Sequence, residues 1–251
     1  MTRWLFLTFG AGLPYRRAAG RLREQADSSG WFESALVVDD KGGPEYFPDL
    51  WRQHGSLMLS HRRGYGYWIW KPWLVYTLLK QLPKGWGVAY LDAGCVINHN
   101  SASQARWREY VAFSEDTGAW AMQLTSDPNL ELDYSNAAWC KGDALVRTQT
   151  SYELRVTDQV QATALMLPKS RVSEELAAEW LELAAEDDYR FLDDRPSESP
   201  NDPRFREHRH GQALVSILFQ QHGLEAMADE MVHWGKWGTE GLCYPVWAPR
   251  W

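Results

Sequence analysis

The chain opens on an unbroken apolar run, Trp4-Leu5-Phe6-Leu7-Thr8-Phe9, stopped by Gly10-Ala11-Gly12. Apolarity that is continuous rather than alternating marks a strand covered on both faces. Pro14 then opens a helix whose Ala18, Ala19, Leu22 and Ala26 share one stripe, ending near Ser28-Ser29-Gly30. A second short strand, Ala35-Leu36-Val37-Val38, closes at Asp39-Asp40-Lys41-Gly42-Gly43. Strand, helix and strand in this order predict a parallel sheet with crossover helices.

Residues 44–68 carry no clear period and read as irregular. Pro72 suits a first helical position, and Leu74, Val75, Leu78, Leu79 and Leu82 form the buried face of the helix that follows. Pro83-Lys84-Gly85 ends it. The next strand, Gly87-Val88-Ala89-Tyr90-Leu91-Asp92-Ala93-Gly94, finishes on a carboxylate and a turn. Further on, 103–115 read as helix, 118–125 and 160–167 as strands, and Ser173 as the cap of a helix through Ala185 with Leu176, Trp180, Leu183 and Ala184 inward. The stretch 186–203 reads as a surface loop. A last helix over 209–222 carries Leu214, Ile217, Leu218 and Gln221 on one side. The tail, 233–251, has four tryptophans, two prolines and no period. The whole reads as one α/β domain, a mostly parallel central sheet flanked by helices.

Composition narrows the picture. The net charge of −7 is concentrated, because residues 171–203 hold eleven acids and three arginines and leave the rest of the chain close to neutral. No basic stripe exists to meet phosphates along a strand of nucleic acid, so nucleic acid is not expected as a partner. No apolar run approaches the roughly 18 residues of a membrane span, and no signal peptide is read at the N-terminus. Three unpatterned cysteines, Cys95, Cys140 and Cys243, fit a reducing cytoplasm rather than a disulfide scaffold. Fifteen tryptophans in 251 residues supply rigid rings for cores or for stacking on a base or sugar.

Candidate chemistry gathers at three places. Ligands of open α/β sheets sit beyond the carboxyl ends of strands, where Asp92 stands. There it fits a divalent cation shared with phosphate oxygens, or the local N–H groups of a turn. Lys71, in Trp68-Ile69-Trp70-Lys71-Pro72, lies beside a helix N-terminus suited to an anion, or else is solvated between packing tryptophans. His208 and His210, entering the 209–222 helix, fit either a metal site completed with Asp92 or half-buried structural roles. The turn Gly10-Ala11-Gly12 lacks the third glycine of a dinucleotide fingerprint, since Tyr15 occupies that place. No nucleophile elbow and no Walker lysine occur.

Taken together, Arg63-Gly64-Tyr65-Gly66-Tyr67-Trp68-Ile69-Trp70-Lys71-Pro72 and Tyr90-Leu91-Asp92-Ala93-Gly94 resemble bacterial GT-A-type glycosyltransferases of polysaccharide-assembly loci. Thr8-Phe9-Gly10, Trp139-Cys140-Lys141-Gly142-Asp143 and Glu207-His208-Arg209-His210-Gly211-Gln212 extend the resemblance in the same order. It implies a GT-A-like domain over 1–251, with a nucleotide-sugar half (1–100), an acceptor half (101–232) and the tryptophan-rich tail as a lid or contact surface. Asp92 matches the acid of a DXD-like motif holding Mn²⁺ or Mg²⁺, with Tyr90 in place of the first aspartate and His210 as a further metal ligand. Thr8, Phe9 and Gly10 match the nucleoside-lining segment, while Trp70, Lys71, Tyr90, His208 and Gln212 match donor-contacting positions. Asp143 is the expected catalytic base, beside Asp92. The implied partners are a nucleotide sugar and a glycan or lipid-linked acceptor, met in the cytoplasm with room for peripheral membrane contact. One departure stands out: the family's His-Asp-Gln reads His210-Gly211-Gln212 here, which also fits a catalytically silent relative that binds a nucleotide or glycan.

Overall fold

The computed structural model of the chain describes residues 2–231 and 236–249. Its elements run β1 (Arg3–Gly10), α1 (Gly12–Ser29), β2 (Ser34–Asp39), α2 (Gly43–Tyr46), α3 (Pro48–Ser60), α4 (Gly64–Tyr67), α5 (Trp70–Gln81) and β3 (Trp86–Leu91). There follow β4 (Val96–Ile97), α6 (Ser103–Thr117), β5 (Met122–Gln123), α7 (Asn136–Trp139), α8 (Gly142–Arg147), α9 (Tyr152–Val156) and β6 (Ala164–Pro168). The last part holds α10 (Arg171–Tyr189), α11 (His210–Gln221), β7 (Met227–Ala228) and β8 (Val246–Trp247).

The central sheet has the order β2-β1-β3-β6, with β1 parallel to both β2 and β3 and β6 antiparallel to β3. Alternation along β1 explains why its sequence is apolar throughout. Leu5, Leu7 and Phe9 enter a core shared with α3, α5, α10 and α11, while Trp4 and Phe6 enter a second core with α1 and α6 on the other face. Both faces are therefore covered, as a continuous apolar strand requires. The chain leaves β1 for β2 on one side and later returns to place β3 on the other. This reversal opens a crevice beyond the carboxyl ends of β1 and β3, the usual place for a ligand in such a sheet.

Several elements differ from the sequence reading. The segment 44–68 contains α3, a helix of 13 residues that starts at Pro48 and buries Leu50, Leu57 and Met58. Its polar Arg52-Gln53-His54 interrupts the apolar stripe, although His54 is itself buried against Tyr189. The strand expected over 118–125 shrinks to Met122–Gln123, paired with β7, plus a bridge from Trp120 to Met166. The one expected over 160–167 forms only over Ala164–Pro168. Helix α10 begins earlier than expected, because Ser170 is its cap and accepts from Ser173 N at 3.2 Å. The loop after α10 is not wholly superficial, since Phe191, Leu192 and Asp193 are buried.

In the tail, β8 pairs with β4 and buries Val246 and Ala248 in the second core. Trp234 and Trp251 lie outside the described residues. Among the described residues no helix is long and apolar enough to cross a membrane.

Candidate active site

Asp92 follows the last residue of β3, and its backbone is held on two sides. Its N–H donates to Thr163 O at 2.9 Å and its carbonyl accepts from Cys95 N at 2.9 Å. Arg21 of α1 pins the loop beyond by donating to Ala93 O (3.2 Å) and Cys95 O (2.7 Å). Within this frame Asp92 Oδ1 accepts from Lys71 Nζ at 2.8 Å and from the Tyr90 hydroxyl. Lys71 is almost wholly buried at the start of α5, donates a second time to Ala162 O at 2.9 Å, and lies 4.6 Å from the Tyr90 ring centre. Burial and the neighbouring Asp92 charge push the Tyr90 phenol well above its usual range, so it stays a donor.

Two pockets meet at Asp92. The larger, about 540 Å³, opens at the strand ends and is walled by Phe9, Tyr15, Tyr65, Trp68 and Trp70, with Asp40 and Arg62 as charged groups. The smaller, about 280 Å³, is polar and carries Arg63, Lys71, Glu207, Arg209, His210 and Gln212. Asp92 and Trp68 line both. Four cationic side chains line the two pockets against three carboxylates.

The wall between the pockets is a rare backbone. Five consecutive residues, Gly64, Tyr65, Gly66, Tyr67 and Trp68, have φ between 52° and 83°, so α4 is a left-handed turn. Three of them carry aromatic side chains, each held against a cost of about 1–2 kcal/mol. Packing fixes the turn. Trp70 Nε1 donates to Gly64 O at 2.9 Å, the Trp70 ring stacks on Phe9 at 4.0 Å, and Tyr67 stacks on His210 at 5.1 Å. Strain of this kind collects where a structure holds side chains for a ligand.

The expected site residues divide clearly. Phe9, Trp70, Lys71, Tyr90, Asp92, His208, His210 and Gln212 all reach the two pockets. Thr8 and Gly10 do not line either. Thr8 falls on the opposite face of β1 from Phe9, and its hydroxyl is buried there without a partner. Asp143 is also elsewhere. Its carboxylate accepts from Ser199 N (2.7 Å), Glu198 N (3.1 Å) and Arg190 Nε (3.1 Å), which ties α8 to the loop after α10. Burial alone would raise this carboxyl, but the amides of Ser199 and Glu198 outweigh it and bring it down to about 2. A carboxylate spent in this way holds a loop and is not a base for a substrate in either pocket.

The histidines differ from each other. His208 accepts from Lys141 N at Nδ1 (3.3 Å) and bonds Phe191 O through Nε2 (2.9 Å), so both nitrogens are committed. Burial takes it well below its ordinary value and keeps it neutral. His210 bonds Leu192 O through Nδ1 at 2.7 Å, leaving Nε2 without a hydrogen bond, shut from solvent and 3.5 Å from Asp194 Oδ1. Arg63 pairs with both Glu207 and Asp194 at the mouth.

A divalent cation in such a site asks for several hard oxygen donors. Among the described residues no group of three or more His, Cys, Asp or Glu side chains is placed to hold one. One oxygen of Asp92 already faces an ammonium and a phenol, and His210 Nε2 is closed off. With an ammonium already at its single carboxylate and a phenol in place of a second acid, the donor set does not fit the expected Mn²⁺ or Mg²⁺.

Tyr15, Asp40, Tyr65 and Arg209 join the site without having been singled out in the sequence. Asp40 directly follows β2, and the strand-end rule that marks Asp92 marks it equally.

No family model matches the chain, and no curated protein matches it. Among solved structures, mouse xyloside xylosyltransferase 1 in its apo form aligns over 99% of this chain and 98% of its own, with a TM-score of 0.48 and 12% identity. The apo bifunctional glycosyltransferase WbbM aligns over 92% of this chain and 39% of its own, with a TM-score of 0.47 and 10% identity. The 4-diphosphocytidyl-2C-methyl-D-erythritol synthase of Anaerococcus prevotii aligns over 91% and 88%, with a TM-score of 0.40 and 10% identity. No residue of the chain inherits a role from likenesses this distant.

Proposed function

We propose that the chain is a glycosyltransferase that moves a sugar from a nucleotide-diphospho-sugar to a glycan or lipid-linked acceptor in polysaccharide assembly. The observation that carries this reading is Asp92 at the shared wall of two unlike pockets. The larger, aromatic one at the strand ends suits a nucleoside, with Tyr65 and Tyr15 for the base and Asp40 for ribose hydroxyls. The smaller, polar one suits the sugar and the acceptor, with Lys71 near the diphosphate between them.

Transfer joins an acceptor hydroxyl oxygen to the anomeric carbon and breaks that carbon's bond to the diphosphate, whose electron pair leaves with the nucleotide. Fixed positive charge aimed at the leaving oxygens is the largest help such a site can give. Glu207, half-exposed in the smaller pocket, is the carboxylate offered for the hydroxyl's proton, although Arg63 pairs with it in the free protein and lowers its carboxyl.

The test is thermal stability with UDP-, GDP- and CMP-sugars, followed by donor hydrolysis. One nucleotide sugar is expected to raise the melting temperature, since a ligand binding only the native state stabilises it. Asp92→Ala is expected to abolish hydrolysis of that donor. No shift with any of the three, or full activity in Asp92→Ala, overturns the reading.

A further inference from the structure

The mismatch between the pocket and a divalent cation has a positive side. We infer that the ammonium of Lys71 takes the place of a metal ion, facing the donor's diphosphate, with Asp92 and Tyr90 as the residues that position it. The inference rests on the donor reading above and deepens it.

Three observations carry it. Lys71 Nζ sits at the strand-end acid itself, 2.8 Å from Asp92 Oδ1, where a bound cation would have to compete with it. The ammonium has three donors, of which Asp92 and Ala162 take two, so one N–H remains for a ligand in the smaller pocket. The second acid that a metal would need is replaced by Tyr90, whose hydroxyl donates to Asp92 instead of binding a cation. A phenol in that place gives the carboxylate a donor, where a second acid would have given a cation another hard oxygen. Arg63 cannot fill the role equally, because Glu207 and Asp194 already hold it.

Calorimetric titration of UDP, GDP and CDP into the protein, once in EDTA and once in Mn²⁺, tests this directly. The nucleotide that binds is expected to do so equally in both, and Lys71→Met is expected to lower its affinity about a hundredfold, as for a lost charged hydrogen bond. Added Mn²⁺ is expected not to restore it. Binding that appears only with Mn²⁺ overturns the inference and leaves the donor reading standing. No binding in either buffer overturns both. A second arm needs neither nucleotide nor a Lys71 variant: Mn²⁺ alone is titrated into wild type and Asp92→Asn and followed by its paramagnetic resonance. Identical, weak titrations are expected; tight binding lost in Asp92→Asn overturns the assignment.

Discussion

Lys71 Nζ and Asp92 Oδ1 stand 2.8 Å apart, yet the two side chains differ in exposure, 6% for the lysine and 35% for the aspartate. The pair is therefore asymmetric. Asp92→Ala leaves a buried ammonium with Ala162 O as its remaining acceptor, which costs about 3 kcal/mol. Lys71→Met fills the same space and leaves a carboxylate that keeps Tyr90 and solvent, which costs about 1 kcal/mol. The double variant is expected to be more stable than the summed losses by about 1–2 kcal/mol. Urea unfolding of the four proteins measures the cycle. Equal single-variant losses with no coupling would show that the contact is not formed in solution.

The left-handed turn rests on Gly66. A Cβ there would stand 2.7 Å from the Met58 Cα and 2.9 Å from its nitrogen, so backbone of α3 would have to move. Gly66→Ala is expected to destabilise by more than about 3 kcal/mol, the range reserved for clashes and strain in a packed interior. Gly30, with φ near 67° and open space around it, is the control. Gly30→Ala bears only the conformational term, about 1–2 kcal/mol. Melting temperatures of the two variants make the comparison, and similar losses would mean that α4 is not packed on α3 as described.

Much of this was legible in the sequence because burial on both faces leaves a plain mark. The runs that became β1 and β3 are apolar without alternation, and Asp92 is conspicuous as the carboxylate that ends one of them. What stayed hidden depends on pairing in three dimensions. Lys71 stands out beside its helix, but its contact with Asp92 exists only because α5 packs over β3, and no local pattern records that pairing. Asp143 looks like a free acid in its motif, whereas the amides that occupy it come from a loop more than fifty residues away. The left-handed turn was invisible for another reason: two glycines announce freedom, but Tyr65, Tyr67 and Trp68 adopt the same backbone against their own preference.

Acid sensitivity follows from three buried histidines. His54, His208 and His210 are each lowered from the ordinary 6.5, chiefly by burial. Above that value folded and unfolded chains are both neutral at these rings, and the contribution to stability is complete. Below it the unfolded chain binds protons that the folded chain refuses, so stability falls as pH drops. Each histidine contributes a slope of about 1.4 kcal/mol per pH unit within its window. Urea midpoints measured from pH 8 down to pH 5 are expected to hold level and then decline below about pH 6.5. A midpoint unchanged across that range would mean that these rings are solvated.

Gly211→Asp tests the proposed transferase against a silent binder. A Cβ at this position would meet Trp180 Cζ2 at 3.6 Å, Trp180 Nε1 at 3.7 Å and Leu192 Cδ1 at 4.0 Å, ordinary contact distances, so the helix admits a side chain there. The same neighbours show what an aspartate would encounter: an indole edge and a leucine, with Trp180 Nε1–H already donating to Gly211 O at 3.0 Å. A carboxylate placed among them costs about 2–3 kcal/mol. Gly211→Asp is therefore expected to fold but to melt about 5–10 °C lower. If the chain is a working enzyme with Lys71 at the diphosphate, the wild type hydrolyses its donor and Gly211→Asp gains no rate. Nucleotide release measured side by side decides the matter. An inert wild type that turns over donor once Asp is placed at 211 would mark the chain as a silent descendant, and the positioning given to Lys71 and Asp92 would then serve binding alone.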